Sequence, residues 1–374
     1  MQSSLIISIL ILLLLKLQPK LSNKTRLDPW LLMTKKVKVA IIGLGNVGCN
    51  LLQILEDKKS VLNKSYHIEF SVICIADSSG VAIDPVGFKP LEILGHKHSG
   101  GKLNTFKGYA DGKTVLDILE DINCDLVFEA SPVNLTTAEP ALSYCKKAIE
   151  KGCHLVLANK APLVIAFDDL QKRARNNNVG ILYSATFCGG LPVLNICQRD
   201  MIAGKITKIQ GVFNATSNFI LDEMAKGQAF DKALLETQKR GAAEADPKLD
   251  IEGWDTANKL VLLANTVLDV SIHLKDIDVQ GITQVTTDQL KRHEDKNETI
   301  KLVAAAVLEG NNYVFSVKPT ILPLSNFLGS CNGWEMGVEI HSDIYGISYH
   351  KLWEREPVPT AASMIRDAVQ LCVY

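Results

Sequence analysis

Val37-Lys-Val-Ala-Ile-Ile-Gly-Leu-Gly-Asn-Val-Gly48 decides the fold of this chain. Val37 to Ile42 is a short, largely β-branched run, which suits a strand buried in a parallel sheet. Gly43-Leu-Gly45-Asn-Val-Gly48 follows at once, and Asn50 to Glu56 has helical character. A Gly-x-Gly-x-x-Gly spacing between a strand and a helix gives each glycine a task. Gly43 allows the tight turn, Gly45 lets a pyrophosphate approach the backbone, and Gly48 lets the helix pack on the strand. Asn46 and Val47 lie where the helix opens, and its free N–H groups and positive dipole end suit phosphate. The plainer alternative is a glycine-rich turn that binds nothing; the strand, turn and helix in sequence favour a dinucleotide.

Reading outward, Ile68 to Ala76 is a second strand ending at Asp77. That carboxylate could accept from a ribose 2′-hydroxyl, favouring NAD over NADP, or could simply form a turn with Ser78, Ser79 and Gly80. Residues 84–112 are rich in Gly, Lys and Pro and read as a long variable loop. Leu126 to Glu129 is a further strand, and Ser131 and Pro132 lie just past its carboxyl end, where ligand crevices form in open α/β sheets. Helix over Ala138–Lys151, strand over His154–Ala158, helix over Leu170–Asn176 and strand over Val179–Ser184 continue the alternation. The expected class is α/β: a Rossmann-type doubly wound parallel sheet plus an α+β catalytic and dimerisation domain. The expected domains are an extension over 1–32, a dinucleotide-binding domain over 33–182 to which 340–374 returns, and the second domain over 183–339. In that second part Ile206–Phe213, Ile300–Leu308 and Tyr313–Lys318 read as strands and Gly337–Tyr349 as extended chain. Phe219–Lys226, Ala233–Lys239, Thr256–Leu268 and Ala361–Leu371 read as helices.

The chemistry concentrates in Gly241-Ala-Ala-Glu-Ala-Asp-Pro-Lys-Leu-Asp-Ile-Glu-Gly-Trp-Asp-Thr-Ala-Asn-Lys259. An acid-rich loop punctuated by Gly and Pro runs into a helix. Asp255 and Lys259 are four apart and share one helical face, while Glu244 and Asp250 sit in the loop before it. Reversible alcohol oxidation needs a group that exchanges the hydroxyl proton and contacts that fix the rest of the substrate. Lys259, on an otherwise apolar helix, is the candidate proton carrier, because desolvation would lower its pKa toward working pH. The alternative is a surface Asp255–Lys259 pair worth a few tenths of a kcal/mol. Glu244 and Asp250 suit a substrate ammonium, or else loop solubility and helix-start capping. Lys160 directly follows a strand, at the sheet edge beside the expected nicotinamide, or is a solvated loop lysine.

Composition excludes several function classes. Lys+Arg 40 against Asp+Glu 41 leaves a net charge of −1, with no electrostatic footprint for nucleic acid or an anionic membrane. The nine cysteines are scattered without a Cys-x-x-Cys pair, which fits reduced thiols in a cytosol and disfavours a zinc site. Leu5 to Leu15 is apolar apart from Ser8, but these eleven residues are too few for a bilayer span of about 20. Met33-Thr-Lys-Lys opens like an ordinary cytosolic start, so residues 1–32 are expected to be a mis-assigned start or a dispensable extension. A membrane anchor, an uncleaved signal and organelle targeting are the alternatives.

The motifs together resemble homoserine dehydrogenases. The resemblance rests on the fingerprint Gly43–Gly48, Asn159-Lys-Ala-Pro-Leu163, Gly189-Gly-Leu-Pro192, Thr216-Ser-Asn-Phe-Ile-Leu221 and the segment 241–259, in that order. It implies interconversion of L-homoserine and L-aspartate 4-semialdehyde with NAD or NADP, by a short monofunctional form that dimerises. It implies Lys259 as proton donor, Lys160 as a second active-site lysine, and Glu244, Asp250, Asp255 and Thr216 around the substrate. It also implies a monovalent cation held by backbone carbonyls near Phe187, Gly189 and Leu191.

This chain departs from the family pattern in four places. Ala242 stands where a Tyr is frequent, Ala215 where a Gly usually precedes Thr216, and Ser184 where an acid helps bind the cation. A neutral hydroxyl is a poorer cation ligand than a carboxylate. Trp353-Glu-Arg-Glu-Pro357 replaces a glycine-rich turn against the cofactor, ahead of the retained Pro359-Thr-Ala-Ala-Ser363. Bulky charged side chains do not permit the same close backbone approach. Two other hypotheses therefore stand beside homoserine oxidation: a sister dehydrogenase acting on another hydroxy or amino acid, and a cofactor-binding descendant without catalysis.

Overall fold

The computed structural model describes residues 34–239, 247–354 and 357–373. In its first half the elements run β1 (Lys35–Ile42), α1 (Asn46–Asp57), β2 (Ile68–Asp77), β3 (Gly80–Phe88), α2 (Pro90–His98), β4 (Leu126–Glu129), α3 (Ala141–Glu150), β5 (His154–Leu157), α4 (Ala161–Asn176) and β6 (Ile181–Leu182). The strands form one sheet in the order β3-β2-β1-β4-β5-β6. All neighbours are parallel except the edge strand β3, which runs antiparallel to β2.

Strand β1 shows why this sheet is doubly wound. Val37, Val39 and Ile41 point to one face and pack with Leu51, Leu52 and Leu55 of α1 and Ile93 and Leu94 of α2. Ala40 and Ile42 point to the other, with Leu142, Cys145 and Ile149 of α3 and Leu170 and Ala174 of α4. A strand covered on both sides must be apolar throughout, and β1 is fully buried from Val39 to Ile42 apart from Lys38 before it.

The second half runs β7 (Ile206–Val212), α5 (Ala215–Ala225), α6 (Trp254–Val267), β8 (Asp278–Val279), β9 (Glu298–Glu309), β10 (Asn312–Pro323), β11 (Glu335–Ser342), β12 (Gly346–Trp353) and α7 (Val358–Val373). Its sheet has the order β12-β11-β7-β9-β10-β8 and is antiparallel except where β8 joins β10. One face, carrying Ile209, Ala304, Ala306, Val338 and Ile340, shares a core with Leu260 to Ala264 of α6.

Several expectations need correction. The stretch 84–112 is no simple loop: it holds the end of β3 and all of α2. The strand expected over Val179–Ser184 shrinks to Ile181–Leu182, and the helix expected from Leu170 begins at Ala161, with a non-helical residue at Ala166. The extended region at 337–349 is a hairpin of two strands, β11 and β12. Of the segment 340–374, residues up to Trp353 belong to the second sheet. Only α7 lies against the first, where Met364, Ile365 and Ala368 join the core beneath β1 and α1. Among the described residues no helix is long and apolar enough to cross a membrane.

Candidate active site

The turn after β1 has the geometry its glycines predict. Gly43 has φ +102, and a Cβ there would lie 2.3 Å from the Ala130 carbonyl oxygen. A Cβ on Gly48 would lie 2.0 Å from the Gly43 oxygen, so these two glycines are demanded by the protein itself. Gly45 differs: nothing lies within 4 Å of its hypothetical Cβ, and no side chain caps the N-terminus of α1. An open backbone approach at an uncapped helix start fits a pyrophosphate. The turn lines a cavity of about 850 Å³ with Asn46, Val47, Asp77, Ser131, Pro132 and Ala158.

Asp77 closes β2 at one end of that cavity. It accepts from Ser79 N–H at 2.8 Å and from Lys97 Nζ at 2.5 Å. Burial would raise its pKa; the hydrogen bonds from Lys97 and Ser79 outweigh that and hold it below the usual range. Lys97 was not singled out from the sequence, since it sits on α2, within the stretch read as loop. Deeper in, Ser131 donates to the buried Glu129, and Asn159 Nδ2 donates to the Pro132 carbonyl at 3.2 Å. Glu129 Oε2 has no hydrogen-bond partner, and burial pushes the carboxyl up to about 7 against the opposing Ser131 contacts.

A second cavity, of about 470 Å³, shares Asn46, Val47, Val133 and Ala158 with the first, so the two adjoin. It is lined by Lys160, Asn214, Thr216, Asp250, Asp255, Lys259 and Glu354. Three parts of the chain supply its centre. Lys160 follows β5 and begins α4, and the Asn159 side chain accepts from Ala161 N–H at 3.0 Å to hold that turn. Asp255 and Lys259 lie one turn apart on α6, with Lys259 Nζ 2.8 Å from Asp255 Oδ2. Lys160 Nζ bonds the other carboxylate oxygen. Lys259 also donates to the Phe213 carbonyl at 2.7 Å. Asn214, the next residue, caps α5 and donates to Asp250 at 2.6 Å and to Asp255 at 2.8 Å. Thr216 follows in the first turn of α5. Glu244 and Ala242 lie outside the described residues.

Electrostatics corrects the expectation for Lys259. Desolvation does push its pKa down, but Asp255 more than compensates, and the ammonium is held above its ordinary range. Burial would raise Asp255; Lys160 and Lys259 outweigh it and hold the carboxylate well below normal. Burial and the Asp255 charge raise Asp250 to about 6. The ligand-free site is thus a charged Lys–Asp–Lys row, with Lys259 poised to donate a proton.

Around the expected cation position, the Gly189 carbonyl accepts from Ser363 Oγ at 3.0 Å, and Phe187 and Leu191 are buried. The Ser184 hydroxyl lies 2.7 Å from Asp367 and 2.9 Å from Asn195. Among the described residues no group of three or more His, Cys, Asp or Glu side chains could hold a metal. In the replaced turn, Trp353 is exposed, whereas Glu354 enters the cavity and accepts from Gly190 N–H at 2.8 Å. Asn214 and Glu354 carry no sequence signal of their own, because Asp250, Asp255 and Gly190 are remote from them in the chain, and Glu129, bonded to Ser131 two residues on, reads in the sequence as the last residue of a strand.

Comparison with known proteins agrees with this geometry. Family models described as "Homoserine dehydrogenase, NAD binding domain" and "Homoserine dehydrogenase" match residues 43–184 and 192–369. A homoserine dehydrogenase of Methanocaldococcus jannaschii is 32% identical over 89% of this chain and 98% of its own length. An NAD(+)-dependent homoserine dehydrogenase of Pseudomonas canavaninivorans is 29% identical over 83% of this chain and 88% of its own. The structure of a hyperthermophilic archaeal homoserine dehydrogenase mutant in complex with NADPH superposes with a TM-score of 0.77 at 27% identity, covering 90% of this chain and 98% of that one. The chain belongs to the homoserine dehydrogenase family.

Proposed function

We infer that the chain catalyses the NAD(P)-dependent interconversion of L-homoserine and L-aspartate 4-semialdehyde. The observation that carries this is the Lys160–Asp255–Lys259 row in a cavity that adjoins the dinucleotide crevice. Bound NAD(P) supplies the hydride donor or acceptor; the chain supplies position and proton. In the reducing direction Lys259 gives its proton to the aldehyde oxygen as the hydride reaches the carbon. In the oxidising direction a neutral Lys259 takes the hydroxyl proton. Asp255 keeps Lys259 charged between turnovers, and Lys160 balances Asp255. Asp250, with Glu244, receives the substrate ammonium, Asn214 fixes the two acids of this pocket, and Thr216 contacts the substrate. Gly43, Gly45, Asn46, Val47 and Gly48 hold the pyrophosphate, Asp77 the ribose, and Ser131, Pro132 and Lys160 the nicotinamide end.

A homodimer through the outer face of the second sheet is supported by Val314, Ile347 and Tyr349, each about half exposed on β10 and β12. A cytosolic setting is supported by nine free thiols. The test is absorbance of reduced nicotinamide when the full chain is given L-homoserine with NAD or with NADP. Reduction of either confirms the reaction and ranks the cofactors. Cofactor binding without reduction would favour a sister dehydrogenase or a non-catalytic relative.

A further inference from the structure

Glu354 stands out among the groups that the proposed chemistry leaves unused. It lies between the end of β12 and the start of α7, with its carboxylate in the cavity that holds Lys160 and Lys259. Gly190 N–H donates to it at 2.8 Å and the Thr360 hydroxyl at 3.1 Å. The carboxylate rests directly on Gly189, where a Cβ would lie 2.2 Å from either oxygen. Among the described residues no lysine or arginine forms an ion pair with it. Burial raises its pKa, opposed by these two hydrogen bonds and by the field of Lys259.

The rest of the cavity explains what an uncompensated carboxylate could do there. Lys160, Asp255 and Lys259 together carry one net positive charge, which Asp250 on the same cavity wall offsets once it is ionised and which falls again to the lysines when Asp250 pairs with a substrate ammonium. Asn46 and Val47, at the phosphate-binding turn, line the same cavity as Lys259. A nicotinamide ring exchanging hydride beside Lys259 must lie between these points. Of all parts of the cofactor, only that ring changes formal charge with redox state: it is a cation when oxidised and neutral when reduced. The two ammoniums repel such a cation, and a further carboxylate in the cavity attracts it.

We propose that Glu354 is a cofactor-facing carboxylate that stabilises the oxidised nicotinamide ring and thereby sets the relative affinity for the two redox forms. The proposal rests on the dehydrogenase reading but is read out by binding, without turnover. The Gly190 and Thr360 contacts hold the carboxylate in place, and a glutamine removes the charge while its carbonyl oxygen accepts from Gly190 N–H and its amide donates to the Thr360 hydroxyl oxygen.

The experiment titrates the full chain and its E354Q variant with oxidised and with reduced cofactor. Quenching of tryptophan fluorescence reports both forms, since Trp334 lines the cavity, and thermal unfolding is measured alongside. The expected result is that E354Q weakens the oxidised form on the order of 10-fold, changes the reduced form less than about 3-fold, and leaves the melting temperature in place. Equal weakening of both forms would overturn the proposal and make Glu354 a structural brace. Unchanged cofactor binding with a raised KM for homoserine would also overturn it and turn the carboxylate toward the substrate. Should the wild-type chain bind cofactor but not oxidise homoserine, the binding ratio would still decide the role of Glu354 separately from that of the substrate.

Discussion

Replacing Asp255 with asparagine removes the carboxylate that, among the described residues, bonds both Lys160 and Lys259. Lys160 and Lys259 bond opposite oxygens of that one group, and all three side chains are at most 15% exposed. At an effective dielectric constant of about 20 the attraction that Lys259 loses across its 2.8 Å contact with Asp255 is several kcal/mol, equivalent to at least roughly 2 pKa units. Burial, which lowers the Lys259 pKa, is then left without its main opponent, and the Lys160 charge without its offset, in the same direction. In the D255N enzyme Lys259 should titrate at least ~2 units lower than in the wild type. Breaking a buried pair should also cost about 3–5 kcal/mol of stability.

The sign follows from linkage. A lysine raised above its unfolded value stabilises the fold in full at every pH below that value, so in the wild type this contribution is present and nearly constant between pH 7 and 10. In D255N the folded pKa falls below the unfolded one, so destabilisation is greatest at low pH and eases as pH rises through the lowered value. The assay is the initial rate of aspartate 4-semialdehyde reduction across pH, with denaturant unfolding at neutral and alkaline pH. The loss of rate at high pH should begin at least ~2 units earlier in the variant. An unmoved alkaline limb together with pH-independent destabilisation would refute the reasoning and leave Asp255 a packing residue.

Two further perturbations probe the first domain. G43A places a methyl group 2.3 Å from the Ala130 carbonyl at φ +102, so it should cost at least ~2 kcal/mol and abolish cofactor binding; wild-type binding would show that the turn does not hold the dinucleotide. E129Q removes a buried carboxyl raised to about 7. Its contribution is fully present below the unfolded value near 4.5 and is lost as pH rises through about 7, by up to roughly 3 kcal/mol. The wild type should lose stability relative to E129Q between pH 5 and 8 in urea titrations, and parallel curves would show that Glu129 stays protonated or finds a partner.

Local pattern made much of this architecture legible. The β1 turn could be read because each glycine acts within a few residues of its neighbours, and the same holds for Asp255 and Lys259, which one helical turn brings together. The loop expected over 84–112 failed for a local reason as well. Asp84-Pro85 and Gly87 look like turn residues, yet β3 is an edge strand paired only with β2, where Pro and Gly are tolerated. The pKa of Lys259 was misjudged because burial was weighed without its partner. Desolvation and the Asp255 charge act in opposite directions, and only the 2.8 Å contact in the folded structure shows which wins.

What the sequence by itself determined is therefore the fold class, the dinucleotide turn, and the choice of acids and lysines proposed to carry the chemistry. These depend on backbone periodicity and on spacings shorter than a helix. Only the tertiary structure decided that Lys160, 95 positions before Asp255, completes the charged row. It alone showed that Asn214 bridges Asp250 and Asp255, and that Glu354 enters the cavity after a run of exposed sheet edge. Charge interactions depend on distance in space and on exclusion of water, and neither is encoded in the separation of two residues along the chain.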